Sequence, residues 1–404
     1  MKNIYSTLLI LFVSITAFGQ KSDIRDGNKF FANAAYIDAA DAYENVNEKS
    51  QEILQNLGDS YFYTNQMQNA AEVYEMLFLR HSGAVAPEYQ FRYAHALMAQ
   101  GNYVKADELM NELSGNDWNH EEFKNTLDTV VPHKFKYDQI MNNASSSDFG
   151  IGFYGDRVAF ASTRNQERPI YPWNKMPALD LYSAQMDDDG EMKDIVLFSD
   201  VINTDEHESS ATFSQDGNTI YFDRTNEDRV KNENDVRVAH ISIYRAEMVD
   251  GEWTNVEKLP FSSEEYSVEH PSLNADGTKL FFASDMPGGS GSFDIYVVDI
   301  NEDGTFGTPQ NLGAGVNTAH REQFPFISEN DVLYFTSDGH QGFGNLDIYR
   351  TEGDFSEVEN LGSSINSGND DFAYVVKESD ETGYFASNRR GTDNLYQFTR
   401  EENE

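Results

Sequence analysis

Apolar residues recur along this chain with two periods, and the change between them divides it. Over residues 24–113 the spacing is that of amphipathic helices. Small and aromatic residues fall at fixed offsets in that stretch. Leu54, Leu57, Gly58, Tyr61, Ala70 and Tyr74 make the clearest set. Gly27, Phe30, Tyr36, Ala39 and Tyr43 make a second, and Ala94, Leu97, Gly101, Tyr103, Ala106 and Met110 a third. After Phe149 the pattern shortens to strands. Five times an apolar strand ending in Phe (Phe160, Phe222, Phe282, Phe335, Phe385) is followed by one ending in Tyr (Tyr182, Tyr244, Tyr296, Tyr349, Tyr396). The second strands read L-D-L-Y, I-S-I-Y, F-D-I-Y, L-D-I-Y and D-N-L-Y.

Small residues at the helical offsets let the two helices of a hairpin touch, with an aromatic filling the gap beside them. That is the tetratricopeptide pattern, whose period is about 34 residues. Residues 20–134 are therefore expected to form a helical solenoid, with Glu121–Thr129 as a helix capping its last apolar face. The strand repeat, at roughly 50–60 residues, signals a radial β array. One such unit cannot bury both faces, whereas five around an axis can. The expected fold is α+β and multidomain: the tetratricopeptide solenoid, then an all-β propeller of five blades over residues 135–400. Within a repeat, Ala211–Phe213 and Thr219–Phe222 flank the turn Ser214-Gln215-Asp216-Gly217. Asp-Gly supplies the positive backbone angle that a tight hairpin needs. The last repeat stops at its third strand, Tyr396-Gln397-Phe398, while residues 137–149 resemble residues 359–372. Tyr137–Met141 is thus expected to add the missing outer strand and close the ring, leaving residues 401–404 as a tail.

Charge and chemistry narrow the function. The formal net charge is −40, from 69 acidic and 29 basic residues. Such a field repels nucleic acid and anionic lipid. Residues 1–19 read as a secretory signal peptide, with an apolar run from Leu8 to Ile15 too short to cross a bilayer. Nothing later is long and apolar enough to span a membrane. The chain has no Cys, which excludes disulfides, a Cys nucleophile and a lipid on a cleavage-site Cys. Gly288-Gly289-Ser290-Gly291-Ser292 lacks the spacing of a nucleophile elbow. The nine His make no H-E-x-x-H or other metal spacing; His207, His270 and His320 recur near blade boundaries and read as scaffold residues. Asp187-Asp188-Asp189-Gly190 falls where a hairpin turn is expected. No cofactor, metal or catalytic residue is expected.

Two surfaces are candidates for partner binding. The concave groove of a helical repeat array should show Asn28, Phe31, Gln55, Asp59, Phe62, Phe91, His95 and Met98, although aromatics at this spacing also suit a core. The connections Phe160 to Asp180 and Phe222 to Ser242 are longer than Phe282 to Asp294 and Phe335 to Asp347. Blades 1 and 2 should therefore carry long loops. The first holds Arg168, Tyr171 and Trp173, residue types favoured at interfaces. They could equally tuck onto blade 1 or the helices.

The Asp-Gly hairpins, the small residue after each Phe and the D-I-Y strands resemble the repeats of TolB-like propellers. A signal peptide, tetratricopeptide repeats and such a propeller, in that order, are similar to the front half of the PorE/OmpA-family envelope proteins of the type IX secretion system of Bacteroidetes. The resemblance implies a non-enzymatic scaffold in the periplasm or at the inner face of the outer membrane. It implies partners among type IX secretion or gliding components, including PorP/SprF-type outer-membrane proteins. Direct peptidoglycan binding is not expected, because the OmpA-like domain of those relatives does not appear before Glu404. A propeller enzyme acting on glycans and a TolB-like adaptor of another envelope complex are the alternatives.

Overall fold

The computed structural model describes residues 20–403 except 82, 84, 141–144, 188–190, 232–235 and 380. The expected signal peptide lies outside the described residues, as does Met141. Two compact units result: residues up to Trp118 with Ile170–Met176, and Asn119–Pro169 with Pro177 onward. No helix of the described residues is long and apolar enough to cross a membrane.

The first unit is a run of helix hairpins: α1 (residues 20–32), α2 (Tyr36–Glu44), α3 (Gln51–Tyr63), α4 (Met67–His81), α5 (Pro87–Met98) and α6 (Tyr103–Ser114). Local signals set the ends. The Ser50 side chain caps α3 by accepting from the Ile53 N–H at 3.3 Å. Pro87 opens α5, where its missing N–H costs nothing, and Gly115 ends α6 with φ of 68°. The small residues sit where helices cross. A Cβ on Gly58 would lie 2.5 Å from the Tyr74 ring, and one on Gly27 would lie 2.7 Å from Tyr43. Both rings are fully buried. Gly58→Ala is therefore expected to cost about 1–3 kcal/mol through overpacking. That should lower helical melting, followed by far-UV circular dichroism, by roughly 5–15 °C. An unchanged melt would mean that the Tyr74 ring can move aside.

The second unit begins with α7 (His120–Val130). This is the helix expected to cap the solenoid, and it groups with the strands instead. The reason lies in what its apolar side meets: the rings of His120 and Phe123 pack on Phe343 at 5.1 and 5.6 Å. Asp128 also accepts from the Ser363 hydroxyl at 2.8 Å.

Five four-stranded antiparallel sheets follow. Blade 1 is β2 (Asp148–Tyr154), β3 (Arg157–Ser162), β4 (Asp180–Met186) and β5 (Met192–Leu197), preceded in sequence by β1 (His133–Gln139). Blade 2 is β6 (Glu208–Phe213), β7 (Thr219–Thr225), β10 (Ile241–Val249) and β11 (Glu252–Lys258). Its long connection carries the small hairpin β8 (Val230–Lys231) and β9 (Arg237–Val238). Blade 3 runs β12 (Val268–Leu273), β13 (Lys279–Ser284), β14 (Asp294–Asp299) and β15 (Gln310–Asn311). Blade 4 runs β16 (Glu322–Ile327), β17 (Leu333–Ser337), β18 (Asp347–Thr351) and β19 (Glu359–Asn360). Blade 5 is β20 (Asp371–Lys377), β21 (Thr382–Ser387) and β22 (Asn394–Glu402), with β1 as its outer strand. The β1–β22 register runs from His133↔Glu402 to Gln139↔Tyr396. The strand thus starts before the expected Tyr137, because Phe135 is buried against Phe398 at 5.3 Å.

The repeated residues have definite roles. Each repeated Phe is buried and faces the repeated Tyr across the strand pair, at 5.1–6.0 Å between rings. The Asp of D-I-Y pins the loop before it. Asp294 accepts from the N–H groups of Ser290 and Gly291, and Asp347 from those of Phe343 and Gly344. Between blades, Asn203, Asn317 and Asn366 each bridge the backbone N–H and C=O of one residue: Leu181, Ile295 and Ile348 respectively. The residue after each, Thr204, Thr318 or Ser367, donates to the acid that opens the next blade, Glu208, Glu322 or Asp371.

Candidate functional site

The residues singled out in the helical stretch divide by burial. Asn28 is exposed, and Phe31 and Gln55 are half-buried. Asp59, Phe62, Phe91, His95 and Met98 are buried in the helical core rather than set along an open groove. Asp59 accepts from the Tyr74 hydroxyl at 2.7 Å and from Arg92 at 2.8 Å. Burial raises its pKa, with Arg92 opposing. The Phe91 and His95 rings lie 4.3 Å apart. The helical period shows which residues share a face; it does not show whether that face meets solvent or another helix.

The aromatic loop segment Ile170–Met176 belongs to this same unit. Trp173 packs edge-on against Tyr36 at 4.7 Å and near Tyr63 at 5.8 Å. Its indole N–H donates to the Tyr63 carbonyl at 2.9 Å, and Lys175 pairs with Asp38. The Tyr171 and Met176 backbones are tied at 2.7 Å. On this base Tyr171 stacks parallel to Trp173, leaving Tyr171 39% and Ile170 54% exposed. Arg168 lies in the propeller unit, where it holds the buried Asp180 at 2.7 Å and reaches Asp205 at 3.2 Å. Tyr36 and Tyr63 build the base for Trp173; the sequence marked Tyr36 only as a repeat residue and did not single out Tyr63.

A second candidate site lies on the propeller axis. The inner strands β2, β6, β12, β16 and β20 surround a cavity of about 1170 Å³. Each inner strand slips register once, at a bulge. At four of the bulges a residue is in the left-handed region: Gly150 (φ 70°), His270 (55°), Phe324 (49°) and Ala373 (52°). These four and Ser210 line the cavity. Only glycine takes that conformation without strain, so the three side chains there are held by their surroundings.

One junction breaks the repeat. The residue after the repeated Phe is Ala161, Ala283, Thr336 or Ala386 in four blades and Asp223 in blade 2. Asp223 is buried, accepting from the N–H and hydroxyl of Ser209 and from the His270 N–H at 2.9 Å. Next to it, buried Glu269 accepts from Gln323 at 2.6 Å. Burial pushes the Glu269 carboxyl up to about 8, and the nearby Asp223 adds to the shift. Burial raises Asp223 to about 6 against its hydrogen bonds. Neither carboxyl is paired with a Lys or Arg among the described residues. Three other buried acids are paired, Asp148 with Arg164, Glu208 with Arg224 and Asp371 with Arg389, whereas Glu322, Asp294 and Asp347 are held by hydroxyl and backbone groups.

His270 completes the cluster. Its ring stacks on Phe324 at 3.6 Å between centroids. Burial lowers its pKa to about 3, so the ring is neutral. Its Nδ1 lies 3.6 Å from Glu269, too long for a hydrogen bond, and neither it nor the Ser210 hydroxyl, both buried from solvent, has a hydrogen-bond partner among the described residues. The sequence placed His270 at a blade boundary as a scaffold residue. Its position in the cavity wall depends on the bulge, which strand periodicity does not report. Asp223 in place of Ala was the available signal. Among the described residues no group of three or more His, Asp or Glu is placed to hold a metal ion.

No protein-family model matches the chain, and no curated protein does. Several solved structures are similar to it. A putative TolB from Agrobacterium tumefaciens is 17% identical over 64% of this chain and 78% of its own, with a TM-score of 0.36. A thermostable family-43 glycoside hydrolase is 10% identical over 65% of this chain and 92% of its own, with a TM-score of 0.41. An oligogalacturonate lyase in complex with manganese is 16% identical over 65% and 68%, with a TM-score of 0.35. Their likeness to this chain goes no further than general fold; the five-bladed ring rests on the strand order itself.

Proposed function

We propose that this chain is an exported, non-enzymatic adaptor of the cell envelope that holds a protein partner on its aromatic loop. The observation that carries this reading is the exposed Ile170–Tyr171 edge on a packed base, with Trp173 held by Tyr36 and Tyr63. A large ring held in place loses little freedom when a partner covers it, which is why Tyr and Trp dominate interface hot spots. Helix hairpins with small residues at their crossings suit a tetratricopeptide array, a further platform for protein contacts. Asp148, Glu208 and Asp371 are each paired with an Arg of the chain, which suits a structural role for these acids. The sequence resemblance supports placing the partner among type IX secretion or gliding components, with a PorP/SprF-type outer-membrane protein as the first to test.

The experiment is crosslinked capture of such an outer-membrane protein by the full exported chain. Tyr171→Ala removes the exposed ring and leaves the Trp173 anchor. It should weaken capture by about 2 kcal/mol, near thirtyfold in affinity, with an unchanged melt. Equal capture by the variant and the parent would remove the loop from the interface.

A further inference from the structure

We infer that the outer face of α4 is a self-association surface, on which a second copy of this chain packs its own α4 antiparallel about a two-fold axis through Met76. Five residues carry the inference. Glu72, Val73, Met76, Leu79 and Arg80 fall on one side of the helix, opposite the side on which Ala70, Ala71, Tyr74 and Leu77 are buried. Glu72, Leu79 and Arg80 are exposed, and Val73 and Met76 are half-buried. Leu79 is 80% exposed, more than any other large apolar residue among the described ones. A lone exposed leucine needs no explanation. The order of these five residues does. Val73 lies three residues before Met76 and Leu79 three after it; Glu72 lies four before and Arg80 four after.

An identical antiparallel helix converts that order into contacts. A two-fold axis reverses both the direction along the helix and the direction across its face. A residue before Met76 on one copy therefore faces the residue equally far after it on the other. At about 100° and about 1.5 Å per residue, Glu72 and Arg80 sit about 40° to opposite sides of Met76 and about 6 Å toward opposite ends. Val73 and Leu79 sit about 60° to opposite sides and about 4.5 Å toward opposite ends. The axis thus sets Glu72 against the partner's Arg80 and Val73 against the partner's Leu79. Such a surface is isologous, the same patch serving both copies. A foreign helix would need neither the matched apolar pair nor the opposite charges at equal spacing. The chain itself leaves both charges available. Opposite charges four apart pair along a helix, but the position four after Glu72 and four before Arg80 is Met76. Arg80 makes no ion pair among the described residues, and Glu72 accepts from the exposed Gln68 amide at 3.2 Å. Neighbouring Glu75 is already engaged by Lys105 at 2.7 Å. One helix face from each copy is smaller than a standard interface, so the association is weak and reversible.

The test is sedimentation velocity of the full exported chain from roughly 1 to 300 µM. Salt at about 0.15 M, with a screening length of about 8 Å, damps the repulsion between two chains of −40. A monomer–dimer equilibrium with a dissociation constant of roughly 10–100 µM is expected. Leu79→Lys should weaken it by about tenfold or more, since it sets a charge against Val73. Glu72→Arg sets Arg against Arg, and Arg80→Glu sets Glu against Glu. Each alone should weaken association about tenfold. Mixing these two variants restores both opposite pairs, so the mixture should form a heterodimer as tight as the parent dimer. The three substituted positions are exposed, so each variant should melt like the parent. A parent that stays monomeric across the range overturns the inference. So does dimerisation that survives Leu79→Lys, or a mixture of the charge variants that associates no better than either alone. None of these outcomes touches the loop reading, which Tyr171→Ala tests separately.

Discussion

A chain lacking His133–Gln139 is expected to lose the stability of its last blade. The deletion removes the whole β1–β22 ladder and the buried Phe135 ring, which packs on Phe398 and Tyr374. It also uncovers Phe385 and Tyr396, which Tyr137 covers edge-on at 5.4 and 5.8 Å. Losing one buried Phe alone costs about 3–5 kcal/mol. With the strand pairing, the melting temperature of the propeller should fall by roughly 10–20 °C. The exposed edge of β22 should also make the variant associate, since an unpaired strand edge is a template for another chain. Calorimetry and light scattering read both effects. A deletion variant that melts like the parent and stays monomeric would show that β1 does not support the ring.

The second large effect is a fall in stability from pH 6.5 to 8.5, flattened by Glu269→Gln. Glu269 keeps its proton in the fold to about pH 8, because it is buried beside Asp223, with Asp285 adding and Arg321 opposing. In the unfolded chain it loses that proton near about pH 4.3. The folded state therefore binds more protons between these values, and stability drops as pH rises through them. The buried histidines work in the opposite direction. His120 and His207 at about 4 and His270 at about 3 add stability as pH rises toward their unfolded value. That gain slows above about pH 6.5 and is complete about one unit higher, so it offsets part of the fall. Glu208 and Glu322, at about 7, titrate out early in the window. From pH 6.5 to 8 Glu269 alone should cost about 2 kcal/mol, or roughly 5 °C in melting temperature. Gln keeps the acceptor for Gln323 and never ionises. An equally steep slope in the Glu269→Gln chain would place the titration elsewhere.

The parts of this fold legible in the sequence are those where one residue has one job in every blade. The Phe and Tyr positions stand out because both must be large, apolar and opposite each other across strands. Legible in principle, but missed, was the spacing Asn203-Thr204 to Glu208, Asn317-Thr318 to Glu322 and Asn366-Ser367 to Asp371. It looks like ordinary polar loop until the hydrogen bonds show each Asn pinning the previous blade while its neighbour holds the next. The partner of α7 was not legible, because a short helix with few apolar residues does not announce which surface covers them. The axial site was hidden for a different reason. A two-residue strand period assigns each side chain to one face, and the bulges turn His270 and Phe324 out of that scheme. The loop around Trp173 was visible as composition; only its partners Tyr36 and Tyr63 decide which ring is anchor and which is exposed.

The pairing of β1 with β22 also fixes an order of events. A ribosome makes β1 early, but its partner comes last: Lys136 and Glu401, which join across that ladder, are 265 residues apart in sequence. Four blades can collapse from neighbouring strands as they emerge, while the fifth must wait. The long-range pairing then pays the closure entropy of the whole ring in a single step, the kind of contact that slows folding most. The closing ladder is therefore the natural kinetic checkpoint of this protein.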